Sequence, residues 1–403
     1  MRICLIGPFH VSSNPRLVRE ATSLAAAGHE VIVVTPRYLP RLSAHDETVL
    51  NGAKWQYESV DCRNSGSLFW FWLRLRRRCC GTLARRLSHT WVMSRAGGYA
   101  LPELERLARA QRAHLYIAHT QMTLPIAARV AQDCGAALAA DIEDLLADCS
   151  SENVSLMSAI ETRYLRSCGY VSTMSSAASR RLQALYRLQE RPLVLHNTPS
   201  LRERSGLKPP VERVSTTVPS IYWFGQTIGP HSCAHYLLQA IGQMKNRLRL
   251  VLRGNVNTSY VQQLMNLARA NRVSDSLEVM PLASPNEMVR LAGDHDLAFG
   301  SQPSLELFHQ MAIGNKVFTG MMAGLALVLT DTIAHRELLQ SAPGCGFTVP
   351  INDARTLSVE LDRILSNRPA LESMKQRSYE LGDQTFNWDQ EARQLLTSVS
   401  QFG

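Results

Sequence analysis

The sequence predicts an α/β protein made of two tandem doubly wound domains facing each other across a cleft. Three observations carry that prediction. At roughly 150 residues per domain, 403 residues make two to three domains. Short apolar runs alternate with stretches of helical period, as in parallel strands joined by crossover helices. The alternation occurs twice, with a Pro- and Ser/Thr-rich break at residues 199–219 between the two passes. A composition of 45% hydrophobic and 19% charged residues excludes wholesale disorder, collagen and coiled coil.

Taken in order, residues 2–7 form a short apolar run stopped by Gly7-Pro8, and a polar loop leads into a helix periodic in Leu17, Ala21 and Leu24. Gly28 ends that helix and residues 30–36 read as a buried strand, which completes a β-loop-α-β unit. Helix 101–113, strand 115–118, helix 125–134 and strand 136–141 continue the rhythm, followed by strands at 170–174 and 193–196 around a helix at 175–186. After the break come strands at 220–225, 248–254, 277–280, 296–300 and 326–331. Helices are expected between and after them at 233–244, 260–270, 286–292, 316–323 and 355–365. The domains are expected at 1–198 and 220–385, with 199–219 as linker and 386–403 as a helix returning to the first domain. Neither half contains G-x-G-x-x-G or G-x-x-x-x-G-K-[ST], so the usual dinucleotide and P-loop phosphate cradles are missing.

The net charge of +9 is unevenly spread: residues 1–200 carry 24 Lys+Arg against 16 Asp+Glu, and residues 201–403 carry 19 against 18. No acid lies between Asp61 and Glu103, a gap that holds eight arginines, including Arg85 and Arg86. The nine cysteines are odd in number and contain no C-x-x-C, which argues against a disulfide framework or zinc knuckle. The longest apolar run, residues 321–329, is far short of the roughly 18 to 20 residues needed to cross a bilayer. The opening residues are too briefly apolar for a secretory signal, so the expected location is the cytoplasm.

Several strings together resemble the GT-B glycosyltransferases, in particular the retaining family-4 type. They are "MRICLIGPFHVSSNPRLVREATSLAAAGHEVIVVTP" at 1–36, "DIEDLLADCS" at 141–150, "RYLRSCGYVSTMSS" at 163–176 and "LHNTPS" at 195–200. In the second half they are "YWFGQTIGP" at 222–230, "LVLRGN" at 250–255, "GNKVFTGMMAGLALVLTDTIAHRELL" at 314–339 and "FNWDQEARQLLTSV" at 386–399. The resemblance implies two Rossmann-like domains, an acceptor held by the first and a nucleotide-sugar donor held by the second.

A departing nucleoside diphosphate gathers negative charge, so the site needs cations and backbone N–H donors beside the phosphates. Arg253 at a strand end and Asn315-Lys316 opening a helix answer that need, and Lys316 is one of only five lysines. The resemblance adds the loop of Gln226, Thr227 and Gly229 to the donor side, where a plain strand-to-helix turn is the alternative. It also implies that the loop from Gly7 through Ser13 to Arg16 faces the acceptor, although Asn14-Pro15 equally suits a helix cap. His119, just past a strand, matches the position of a histidine near the donor sugar and is the expected catalytic residue; a satisfied turn histidine is the alternative. Glu143 and Asp144 follow another strand, as cleft or solvated acids.

The sequence also departs from the family. The paired glutamates separated by seven residues are replaced by Met311 and Thr319, Glu306 lies at the wrong spacing, and the loop "GPHSCAH" at 229–235 offers only His231 as a partial cation. No metal is expected, and cations with helix ends are left to neutralise the leaving group.

Residues 68–86, "LFWFWLRLRRRCCGTLARR", place four aromatics before clustered arginines. Trp70, Trp72, Arg74, Arg76, Arg77 and Arg78 suit contact with an anionic membrane surface. The alternatives are a helix whose aromatics pack inward while its arginines stay wet, and nucleic acid, for which no RNA-binding motif is present. The sequence is therefore read as a hexosyltransferase that uses a nucleotide sugar and a glycan or lipid-linked acceptor, cytoplasmic and peripheral on the membrane. The rival readings are a non-catalytic membrane-associated partner protein and a nucleotide-sugar epimerase.

Overall fold

The computed structural model describes residues 1–64, 66–84, 89–149, 154–213 and 217–403. The chain forms two compact units, 1–195 with 392–403, and 196–391.

Unit 1 is built on seven parallel strands: β1 (Arg2–Ile6), β2 (Glu30–Arg37), β3 (Gln56–Asp61), β4 (Leu115–His119), β5 (Ala137–Ile142), β6 (Tyr170–Thr173) and β7 (Leu193–Val194). Their order is β3-β2-β1-β4-β5-β6-β7, so the winding reverses between β1 and β4. The central strands are covered on both faces, which is why they read as unbroken apolar runs: Ile3 to Ile6 and Ile32 to Val34 are fully buried. The helix Pro15–Ala26 begins as its sequence directs, with Pro15 at its first position and the Asn14 side chain accepting from the Leu17 N–H at 3.0 Å. Strand β3 and the helices Ser43–Leu50, Thr90–Ala96 and Val154–Tyr164 were not expected from the sequence.

Unit 2 has six parallel strands: β8 (Ser220–Ile228), β9 (Arg249–Val256), β10 (Leu277–Met280), β11 (Leu297–Gly300), β12 (Ala326–Thr330) and β13 (Gly346–Val349). Their order is β10-β9-β8-β11-β12-β13, and the reversal falls between β8 and β11. Ile221, Trp223, Leu250, Leu252, Phe299 and Val328 anchor its core.

The stretch expected as a linker is part of unit 2. Ser200 and Glu203 form a capping box, Arg204 stacks 4.0 Å above Tyr379 and pairs with Asp383, and Tyr379 donates to the Leu207 carbonyl at 3.2 Å. These contacts give the segment partners that a free linker lacks; residues 214–216 of it lie outside the described residues. The return to unit 1 falls after Glu391, within the helix Trp388–Ser400 and later than residue 386. In unit 1 the Phe402 ring lies 6.3 Å from the Tyr170 ring and fills the space a side chain at Gly169 would need. Among the described residues no helix is long and apolar enough to cross a membrane.

Candidate functional site

In a doubly wound sheet, ligands bind beyond the carboxyl ends of the strands where the winding reverses. In unit 2 that point follows β8 and β11. Trp223 on β8 is buried, and the Lys316 ammonium sits 5.4 Å from the centre of its ring. Lys316 is the second residue of the helix Asn315–Ala323, whose N-cap is Gly314 with no side-chain cap. Its side chain is half-buried and has no hydrogen-bond or ion-pair partner among the described residues. Burial pulls its pKa below the ordinary lysine value. A cation at the positive end of a helix, desolvated and without a carboxylate, carries an electrostatic cost that an anion would relieve.

The surrounding groups are neutral. His231, exposed at 5.8 Å from the Trp223 ring, is held below the usual histidine range by desolvation and then by Lys316. His335 donates Nδ1–H to the Thr330 carbonyl at 2.8 Å, and burial lowers it to about 4. It is therefore a neutral imidazole whose Nε2 is buried without a hydrogen bond. The loop backbone lies close against the strands: a Cβ at Gly254 would meet the Gly225 carbonyl oxygen at 2.4 Å, and one at Gly225 would meet the Trp223 ring at 2.6 Å. Gln226 and Thr227 are exposed at an irregularity in the β8–β9 pairing, Gly229 is buried beside His231, and Asn315 is exposed at the helix start.

Arg253 departs from expectation. It is buried, with Nε donating to the Tyr222 hydroxyl at 2.9 Å and Nη1 to the Pro281 carbonyl at 3.0 Å. A guanidinium fixed at two of its nitrogens braces the strand end, so the Arg253 expected on the donor phosphates belongs to the wall of the site. Thr319 is buried, and Glu306 is exposed.

In unit 1 the corresponding point follows β1 and β4, and here the expected roles of Arg16 and His119 are corrected. Both side chains are fully buried. Arg16 donates to the Leu195 carbonyl and to Asp141, and its Nε is 3.6 Å from Glu20. The His119 ring lies between two carboxylates, Nε2 at 3.4 Å from Glu20 and Nδ1 at 3.4 Å from Asp141. Ser172 donates to Asp141 at 2.7 Å. Desolvation opposes the charged imidazole, but Glu20 and Asp141 outweigh it and raise the pKa to about 10. Two cations and two anions thus neutralise one another out of contact with solvent. The ring that was expected in an open site is instead enclosed at the end of β4, with Glu20 and Asp141 as its neighbours.

The acceptor-side loop is likewise built for packing. Gly7 donates to the Val34 carbonyl and leaves room for Leu17, Ser13 donates its N–H to the His10 carbonyl, and Arg16 is committed to the cluster. Glu20 and Asp141 went unnoticed in the sequence; the available signal was Arg16 and Glu20 at i, i+4 beside the apolar Leu17 and Ala21. Glu20, His119 and Asp141 are also the only described group whose spacing would suit a metal. Arg16 already occupies the cation's place there, and each ring nitrogen faces a different carboxylate. Next to the cluster, Glu143 is half-buried and desolvation raises it to about 7, while Asp144 is exposed. Backbone outliers mark both reversal points: Thr120, after β4, has φ +68°, and Cys233, after the β8 loop, has φ +57°.

The helix Leu68–Ala84 divides the six residues expected at a membrane. Trp72, Arg74 and Arg78 face outward. Trp70 stacks on Tyr38 and lies tilted against Tyr99, Arg76 makes a two-pronged pair with Glu103 at 2.8 and 2.6 Å, and Arg77 lies 4.5 Å above Tyr99. At about 100° per residue, neighbours in sequence cannot share one face of a helix. Arg85 and Arg86 lie outside the described residues.

Two parallel sheets, each with a reversal point, define a doubly wound α/β protein of two Rossmann-like units. The family model "Glycosyl transferase 4-like domain" matches residues 13–198 and "Glycosyl transferases group 1" matches residues 218–367. The chain belongs to the GT-B glycosyltransferases. Its fold is shared by HepE of Anabaena, solved with UDP and glucose, at TM-score 0.71 and 15% identity over 100% of both chains. A glycosyltransferase from Rickettsia africae gives 0.68 at 13% identity, covering 100% of this chain and 98% of that one. Sucrose-phosphate synthase from Thermosynechococcus elongatus gives 0.66 at 14% identity with the same coverage. No curated protein matches the chain in sequence.

Proposed function

We propose that the chain moves a hexosyl group from a nucleoside-diphosphate sugar to a glycan or lipid-linked acceptor, with retention of configuration and without a metal, at the cytoplasmic face of a membrane. Lys316 carries the reading: a desolvated ammonium at an uncapped helix start, with no counter-ion among the described residues, fits the charge a diphosphate brings and gains as it leaves. In the transfer the bond between the anomeric carbon and the β-phosphate oxygen breaks, the acceptor oxygen bonds to that carbon, and the acceptor proton goes to solvent or a nearby base. Lys316 and the first-turn N–H groups neutralise the diphosphate. Retention and the family-4 assignment rest on the resemblance of the strings at 222–230 and 314–339, and metal independence on Lys316 and the helix start as the positive charge beside the phosphates. HepE's complexes with UDP and glucose make a uridine diphosphate sugar the first donor to try.

The test is calorimetric binding of UDP, GDP, ADP, dTDP and CMP to the wild type and to Lys316→Met. One nucleotide is expected to bind, and the variant is expected to lose about tenfold or more, as when one partner of a buried charge pair is removed. Sugar transfer to an added acceptor excludes the epimerase reading. A chain that binds no nucleotide overturns the proposal and favours the non-catalytic partner, a reading motivated by Thr319 and Met311 in place of the paired acids.

A further inference from the structure

The helix Leu68–Ala84 carries its apolar stripe on the outside of unit 1. Leu68, Phe71, Trp72, Leu75 and Leu83 fall at helical spacing on one face and are 88%, 65%, 53%, 43% and 45% exposed. With Phe69, this one helix holds six of the fifteen large apolar side chains exposed among the described residues. The others lie mostly one by one, as on any soluble surface. The inner face is already satisfied by Leu73, Cys80, the Trp70 stack and the Arg76–Glu103 pair. The outer stripe therefore has no packing duty within its unit.

Charge identifies what covers it. Arg74 and Arg78 are exposed along one border of the stripe and have no ion-pair partner among the described residues. No acid lies between Asp61 and Glu103 to offset them. Trp91, on the neighbouring helix Thr90–Ala96, is half exposed with Arg95 stacked 4.3 Å above its ring. An aromatic stripe bordered by unpaired guanidinium groups fits the level of a bilayer where acyl chains meet anionic headgroups. The helix is about 25 Å long at 1.5 Å per residue, and its one-sided pattern suits lying in that plane.

We infer that this helix docks unit 1 on an anionic lipid surface, with Leu68, Phe71, Trp72 and Leu75 among the acyl chains and Arg74 and Arg78 at the phosphates. Trp70, Arg76 and Arg77 act as the internal brace that holds the stripe outward. The inference rests on the membrane part of the proposed function and specifies which surface does the work.

The experiment is co-sedimentation of the full chain with phosphatidylcholine vesicles, with and without phosphatidylglycerol. It is run on the wild type, on the triple variant Phe71→Ser, Trp72→Ser, Leu75→Ser, and on the double variant Arg74→Glu, Arg78→Glu. Light scattering reports self-association, UDP binding reports an intact unit 2, and circular dichroism reports the fold. The wild type is expected to bind only the anionic vesicles. Each basic side chain near such a surface is worth a factor of about five, so the double variant should lose about 25-fold or more, and the triple variant at least as much. If the wild type binds and the variants bind equally well, this surface is wrong while the membrane reading survives. If the wild type binds no vesicle, both fail. Self-association lost in the triple variant, or binding to single-stranded RNA with none to vesicles, would assign the stripe to another occupant and overturn the inference.

Discussion

Substituting His119→Gln together with Glu20→Gln removes a buried acid and a buried base at once, leaving Arg16 paired with Asp141 and no charge stranded. The wild-type imidazole has its pKa raised from 6.5 to about 10 by the two carboxylates, against the opposing pull of desolvation. A group whose folded pKa exceeds its unfolded value contributes its full stability below the unfolded pKa and loses it as pH climbs through the folded one. At 1.36 kcal/mol per unit, the displacement corresponds to about 4–5 kcal/mol at pH 6.5 and below, falling to about 1–2 kcal/mol at pH 9. Because the ring is fully buried, solvent screening does not reduce the figure. In the wild type Glu143, raised to about 7, loses its own contribution mostly below this window. The assay is guanidinium unfolding followed by tryptophan fluorescence at intervals from pH 6.5 to 9. The stability gap between wild type and double variant should shrink by about 3 kcal/mol across that range. A gap constant to within about 0.5 kcal/mol would show that the imidazole carries no proton in the fold and would refute the ion cluster.

Two smaller predictions accompany it. Asn14→Ala removes the side-chain cap of the helix Pro15–Ala26 and should cost about 1 kcal/mol in denaturant titration, with vesicle and nucleotide binding retained. Gly254→Ala forces a methyl onto the Gly225 carbonyl oxygen, so thermal unfolding should register a loss of about 1–3 kcal/mol, and UDP titration should weaken as the β8 loop shifts.

Legibility in the sequence followed burial. Strands covered on both faces, such as β1, β2 and β12, read as continuous apolar runs and were placed within a residue or two. The edge strands β3, "QYESVD", and β13, "GFTV", were missed because an edge strand need not be apolar on both faces. Lys316 was legible through its string and its place at a helix start, but its Trp223 neighbour lies 93 positions away and only the fold joins them. The commitment of Arg16 was hidden for the same reason, since Asp141 and the Leu195 carbonyl reach it from β5 and from the end of unit 1's first stretch. In the aromatic helix the composition was plain and the outward face was not. That choice is made by Tyr38, Tyr99 and Glu103, which claim Trp70, Arg77 and Arg76.

Unit 1 is assembled from two stretches of chain, 1–195 and 392–403, with all of unit 2 between them. On the ribosome the first stretch emerges without the helix end that places Phe402 against Tyr170 and Gly169. At roughly 5–20 residues per second, that closing piece arrives some tens of seconds later. Through that interval the flank of β6 is bare, and unit 2 gains its own last residue, Glu391, before Phe402 is made. Unit 2 is therefore positioned to complete its fold first although it is made second, and the newborn chain depends on nothing else occupying the Phe402 seat before its own last turns appear.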